Sequence, residues 1–244
     1  MRSNKVVISF WFKELSYNPI CKVGELEKSL GNYFQAPFLI NDCEPFINVG
    51  MPRIVARSDE AVFDMSLINA NLSILHFYTN NIDDIMLKVN EMMQLVFDIL
   101  CDLYEIECIY TSIKIELVES SSIKKCQKEL LGTDEEIEDF MVKKSIRKDD
   151  KYYFNTMIIL SKEVSFDIKN PSKNKPNESD LLARSMLISL CDSKVKDEVK
   201  NTVLEINNRL AYNVDNNYRV NKDEVRDLLF EFKVMLNKEI KEKK

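Results

Sequence analysis

Residues 81–118, NIDDIMLKVNEMMQLVFDILCDLYEIECIYTSIKIELV, decide the fold of this 244-residue chain. Ile82, Ile85, Met86, Val89, Met93, Val96, Phe97, Leu100 and Leu103 recur at helical spacing, so the segment opens with a long amphipathic helix. Asn80 and Asn81 offer an N-cap, and Asp83 and Asp84 place acid in the first turn, where the helix dipole favours it. The pattern then changes period. Across Glu107–Val118, Ile109, Thr111, Ile113, Ile115 and Leu117 alternate with more polar positions, as a half-buried strand requires. A wide apolar stripe on the helix means that it lies on a sheet or on another helix.

Working back towards the N-terminus, Leu72–Tyr78 alternates as well, with Leu72, Ile74 and His76 on one face and Ser73, Leu75 and Phe77 on the other. Val62–Ile68 and Arg53–Arg57 read as strands, with a turn at Ser58-Asp59-Glu60 and an interruption at Asn69-Ala70-Asn71. Phe34–Pro52 reads as irregular, with a short extended piece at Phe38–Ile40. Val23–Leu30 suits a short helix ended by Gly31, and Val6–Phe12 is a β-branched and aromatic strand. The order strand, helix, strands, long helix, strand predicts an α+β fold. It is that of a split βαβ (ferredoxin-like) layer with an extra strand in its middle hairpin.

Downstream, Ile123–Leu131 and Asp134–Lys143 read as two short polar helices, the second capped by Thr133 with Glu136 at the capping-box position. Lys143–Lys151 is charged and solvent-facing, and Tyr152–Ile168 returns to strand character. Lys169–Asp180 is a loop, and Leu181–Cys191 is apolar enough for a buried strand. Val203–Tyr212 fits either period and is read as a strand, because Asn207-Asn208 disfavours a helix interior. Asn221 caps a last helix that carries Val225, Leu228, Leu229, Phe232, Met235, Leu236 and Ile240. The expectation is a split-βαβ region over residues 1–120 and a second strand–strand–helix layer over residues 121–244, packed as one domain or two.

Composition removes several enzyme classes. Glycine averages about 7% of proteins, which predicts roughly 17 here; the chain has four, no two closer than seven positions. Phosphate-cradling loops need clustered glycines, so the P-loop and dinucleotide fingerprints are absent. One histidine, His76, cannot supply a triad or a histidine-rich metal centre. The six cysteines include no CxxC pair, which favours buried free thiols over a zinc site or disulfides. No cofactor or metal site is indicated. A net charge of −6 argues mildly against a dedicated DNA-binding surface, and no apolar run is long enough to span a membrane. The N-terminal residues do not read as a signal peptide, so the cytoplasm is the expected location.

Two constellations carry chemistry. Asp167-Ile168-Lys169, at a strand end with Asp149 and Asp150 upstream, has the acid-x-Lys form of nucleases that hold Mg²⁺ beside a lysine-positioned water. Asp192-Ser193-Lys194 repeats the spacing, as accident produces in a chain with 34 basic and 40 acidic residues. Lys143, Lys144, Arg147, Lys148 and Lys151, beside Tyr152-Tyr153, suit phosphate contacts with base stacking, although Asp149-Asp150 interrupt them. Glu138-Asp139, with Asp134-Glu135-Glu136, reads as a solvated helix face.

The chain resembles a sporadically distributed family of uncharacterised bacterial proteins of similar length. The resemblance runs through Val6–Phe12, Pro52-Arg53-Ile54-Val55-Ala56-Arg57-Ser58-Asp59, the long helix into Tyr110–Glu116, and Leu204-Glu205-Ile206-Asn207 before the last helix. It implies a defence or mobile-element association and transfers no site residues. With no catalytic constellation of weight, the expected function is non-catalytic: a binding or assembly component with a protein partner or a second copy of itself. A Mg²⁺-dependent nuclease using Asp167 and Lys169, or a nucleic-acid binder using the basic segment, is the alternative.

Overall fold

The computed structural model describes residues 2–16, 18–31, 33–34, 37–41, 48–132, 140–166 and 193–241. Among them nine strands form one antiparallel sheet. They are β1 (Arg2–Phe12), β2 (Leu39–Ile40), β3 (Ile54–Arg57), β4 (Ala61–Met65), β5 (Asn69–Leu75), β6 (Cys108–Ser120), β7 (Phe140–Lys148), β8 (Tyr152–Phe166) and β9 (Ser193–Asn207). Their order is β2-β3-β4-β5-β1-β6-β9-β8-β7. The α-helices among the described residues are α1 (Val23–Leu30), α2 (Ile82–Asp98), α3 (Ile123–Leu131), α4 (Arg209–Val214) and α5 (Lys222–Lys241). The chain is therefore mixed α+β. It divides into two compact units, one of Met1–Val118, Val142–Met157 and Thr202–Lys244, the other of Glu119–Met141 and Ile158–Asn201.

In the first unit β1 organises the core. Val6, Ile8, Phe10 and Phe12 alternate along it and are buried, while Val7, Ser9 and Trp11 on the opposite face are only half-buried. β5 and β6 flank β1, both antiparallel to it, so Ile8 sits between Leu72 and Ile113. β5 and β6 consequently run in the same direction, joined through α2. The long helix lays Ile85, Val89, Met92, Met93, Val96 and Phe97 into the core, and α5 packs beside it through Leu228, Phe232 and Leu236. Each such side chain contributes about 1.5–3 kcal/mol when removed from water. Asn81 caps α2 as its sequence predicts, accepting from the Asp83 N–H at 3.0 Å. Asn221 does the same for α5, accepting from the Glu224 N–H at 2.9 Å.

The last turn of α2 widens. Over Ile99–Leu103 the chain forms a π-turn, in which the Tyr104 N–H reaches back five residues to the Ile99 carbonyl at 3.1 Å. Glu105 then takes a φ of 55°, and the chain turns into β6.

Four expectations need correction. Asn69-Ala70-Asn71 does not interrupt the β4–β5 hairpin: it pairs within β5, and the turn falls at Ser66–Ile68. The Ser66 hydroxyl decides this, accepting from the Ile68 and Asn69 N–H groups at 3.1 and 3.0 Å. His76 is not part of the strand; β5 ends at Leu75, and His76 is exposed with a φ of 55°. Phe140–Lys148 is a strand, so the helix expected over Asp134–Lys143 does not extend through its last four residues. Arg209–Val214 is helical, so only the first part of Val203–Tyr212 is strand. Thr133 and Glu136, the loop expected over Lys169–Asp180 and the strand expected over Leu181–Cys191 lie outside the described residues.

On β4, Asp64 is half-buried and accepts from the Asn71 side chain at 2.8 Å. Burial raises its carboxyl above the ordinary value, and the bond to Asn71 only partly offsets this. As pH rises from the ordinary carboxylate range through the raised folded value, the unfolded chain ionises first, so stability falls. Asp64→Asn is expected to flatten that acid-side slope in denaturant midpoints measured against pH; an unchanged slope would assign it to other groups.

In the second unit, Cys126 of α3 and Leu160 of β8 form a small buried cluster with Ile158. Lys200 pairs with Glu119 at 2.9 Å; burial would lower its ammonium, but Glu119 holds it above its ordinary range. No described helix is long and apolar enough to cross a membrane.

Candidate functional site

β7 terminates the strand order, so one of its edges meets no described strand. It is exposed on both faces, with Met141 at 65% and Ile146 at 47% of full exposure. An edge strand of nine residues is long, and sequences normally protect such an edge with charge. Here Lys143, Lys144 and Arg147 supply it. All three are exposed and make no ion pair among the described residues, and the Arg147 guanidinium stands 5.9 Å from the centre of the Tyr153 ring.

The structure divides the basic segment. Lys148 pairs with Glu231 of α5, while Lys151 pairs with Glu224 at 2.7 Å and Asp227 at 3.3 Å. These two lysines are therefore committed to α5 and are poor candidates for phosphate contacts. Between them the Lys151 N–H closes on the Lys148 carbonyl at 3.1 Å, with Asp149 and Asp150 both left-handed at φ of 52° and 49°. Hairpin turns of this kind prefer glycine at the second position. Asp150→Gly is expected to stabilise the chain by about 0.5–1 kcal/mol in urea unfolding. A loss of stability would mean that the aspartate has a role beyond the turn.

Behind the hairpin lies a polar chain of contacts. Glu224 accepts from both Lys151 and the Tyr218 hydroxyl. Tyr218 in turn accepts from Asn208 Nδ2 at 3.1 Å, and Asn208 Oδ1 accepts from the Thr111 N–H of β6 at 2.7 Å. Burial and the bond to Glu224 push the Tyr218 phenol up. Burial alone would lower the Lys151 ammonium, but Glu224 and Tyr152 hold it above its usual range. Neither group changes charge near neutral pH, so the network fastens the hairpin, β6 and α5 together and does not suit proton transfer.

The sheet face turned away from α2 carries residues that sequence reading did not single out. Trp11 and Tyr110 are opposite one another in the β1–β6 register and stack at 5.4 Å. Tyr212 lies 6.1 Å beyond Tyr110, and Arg209 sits over the Tyr110 ring at 5.8 Å. Trp11 and Tyr110 occupy the off-core positions of two alternating strands, but only the register makes them neighbours.

Asp167 and Lys169 lie outside the described residues, as do Asp192 and the acidic run Asp134–Asp139; Asp149 and Asp150 belong to the β7–β8 turn. His76 lies 3.1 Å from the Tyr78 hydroxyl and meets no nucleophile among the described residues. No group of three or more His, Cys, Asp or Glu side chains placed to hold a metal ion occurs among those residues. Cys21, Cys101, Cys108 and Cys126 are free thiols; Cys108 and Cys126 are buried as expected, whereas Cys21 is exposed. No protein-family model and no curated sequence matches the chain.

Proposed function

We propose that this protein is a non-catalytic assembly component of a bacterial cytoplasmic complex, in a defence or mobile-element setting, and that β7 is its docking edge. The observation that carries the reading is the exposed nine-residue edge strand, along which Lys143, Lys144 and Arg147 form no ion pair with any described residue. An extended segment can add to such an edge through main-chain hydrogen bonds, with side-chain charge setting the choice of partner. Pairing two copies of β7 would set Lys143, Lys144 and Arg147 against like charges, which disfavours it. An acidic extended segment of a different protein gains from the same charges.

The scaffold in this reading is a split βαβ layer. The passage from β5 through α2 to β6, with β1 between the two strands, supports it. The second reading, nucleic-acid binding, is favoured by the Trp11–Tyr110 stack and Arg209, a surface on which a base could stack.

One experiment separates them. The tagged chain is recovered from its native host, and its companion is purified and returned to it during hydrogen exchange. Slower exchange of β7 amides by tenfold or more is expected, together with at least about tenfold weaker binding on combined Lys143→Glu, Lys144→Glu and Arg147→Glu changes. A companion that leaves β7 exchange unaltered sinks the edge-docking reading. Recovery of nucleic acid alone, lost on Trp11→Ala, would put the sheet face in its place.

A further inference from the structure

Cys101 and Cys108 are brought together by the π-turn that ends α2. Cys101 lies within that turn, the Ile106 N–H folds back onto the Leu100 carbonyl at 2.8 Å, and the left-handed Glu105 sends the chain into β6, whose first residue is Cys108. Such widened turns recur where a helix must place a side chain that a regular α-helix would not. Both cysteines line one open pocket of about 390 Å³, together with Glu105, Glu107, Arg219 and Val220. Arg219 pairs with Glu107 at 3.0 Å, so the pocket presents both signs of charge beside the sulfurs.

The two thiols are not equivalent. Cys101 is half-exposed, whereas Cys108 is buried. The neighbouring Cys108 thiol favours the Cys101 thiolate, against the opposing effects of burial, Asp102 and Asp98, while Lys222 assists. The same contact, with burial, pushes the Cys108 thiol far up. An accessible sulfur that ionises more readily beside a buried one that keeps its proton is the asymmetry thiol–disulfide exchange requires.

We propose that Cys101 and Cys108 form a dithiol–disulfide couple, Cys101 attacking and Cys108 resolving, and that the pocket admits a small zwitterionic disulfide of the glutathione class. The Cys101 thiolate, having released its proton, attacks one sulfur of the small disulfide. That S–S bond breaks, and the leaving thiolate takes up a proton. Cys108 then loses its proton as its sulfur attacks Cys101, and the second small thiol departs. The protein loses two electrons and two protons; one small disulfide is reduced to two thiols.

The test treats the full chain with oxidised glutathione, quenches it with acid, alkylates the remaining thiols and maps the peptides by mass spectrometry. Expected is the joint loss of alkylation at Cys101 and Cys108 with a peptide cross-linked through both, while exposed Cys21 carries at most a glutathione adduct. In Cys108→Ser the adduct should stop on Cys101, and in Cys101→Ser alkylation of Cys108 should be fully retained. The wild-type peptide map decides even if a variant fails to fold. A map in which both cysteines stay alkylatable, or in which Cys101 holds glutathione without passing to Cys108, overturns the couple.

Discussion

Phe10→Ala is expected to remove about 3–5 kcal/mol of stability, the full range for deleting a buried ring. The ring is fully buried on β1, 5.8 Å from that of Phe97 on α2. Its cross-strand partners are Ala70 on β5 and Thr111 on β6, both small. Neither can reach into the vacated space, so the cavity stays open and the cost falls at the upper end. Domains of ordinary stability hold about 5–15 kcal/mol in total, so much of the margin would go. Urea unfolding should show a lower midpoint at unchanged slope, with Phe10→Leu losing less than half as much. A loss below about 1 kcal/mol would contradict the close packing of β1 against α2.

Asn208→Ala carries the second large effect, about 2–4 kcal/mol. The side chain is fully buried at the start of α4 and makes two hydrogen bonds, one from the Thr111 N–H and one to the Tyr218 hydroxyl. Its loss strands the Thr111 N–H inside the sheet and removes the donor to Tyr218. Tyr218→Phe is expected to cost less, since it leaves the Thr111 bond intact. The double variant should lose less than the sum of the two, with a coupling of about 0.5–2 kcal/mol. Strict additivity in the same unfolding assay would show that the contacts from Thr111 to Glu224 act separately.

These two residues also show how far the chain's own pattern can be read. Phe10 belongs to an alternation that announces a strand, and α2 and α5 carry caps and stripes that fix their starts within a residue. Helices and alternating strands are local, so nearest neighbours suffice to reveal them. The Ser66 turn was hidden because two asparagines nearby looked like better turn formers, and the serine hydroxyl won by bonding two N–H groups at once. His76 continued an alternation that the backbone had already left. β7 reads as the end of a polar helix up to Lys143 and as a charged, solvent-facing stretch beyond it, because an edge strand open on both faces has neither period. Asn208 and the Trp11–Tyr110 pair depend on contacts across roughly 100 positions, which no local pattern records.

The placement of β1 has a consequence for how the chain is made. Its residues pair with Cys108–Val118, about a hundred positions further on. At a ribosomal rate of about 5–20 residues per second, the partner strand emerges roughly 5–20 s after β1 does. Throughout that interval one of the most apolar strands of the protein has at best β5 beside it and an open edge on the other side. Its folding is therefore set by long-range closure, which is slow, and the nascent chain is most open to wrong pairing before β6 leaves the ribosome. Synonymous codon changes that slow translation between β5 and β6 would lengthen that exposure without altering a single residue of the finished protein.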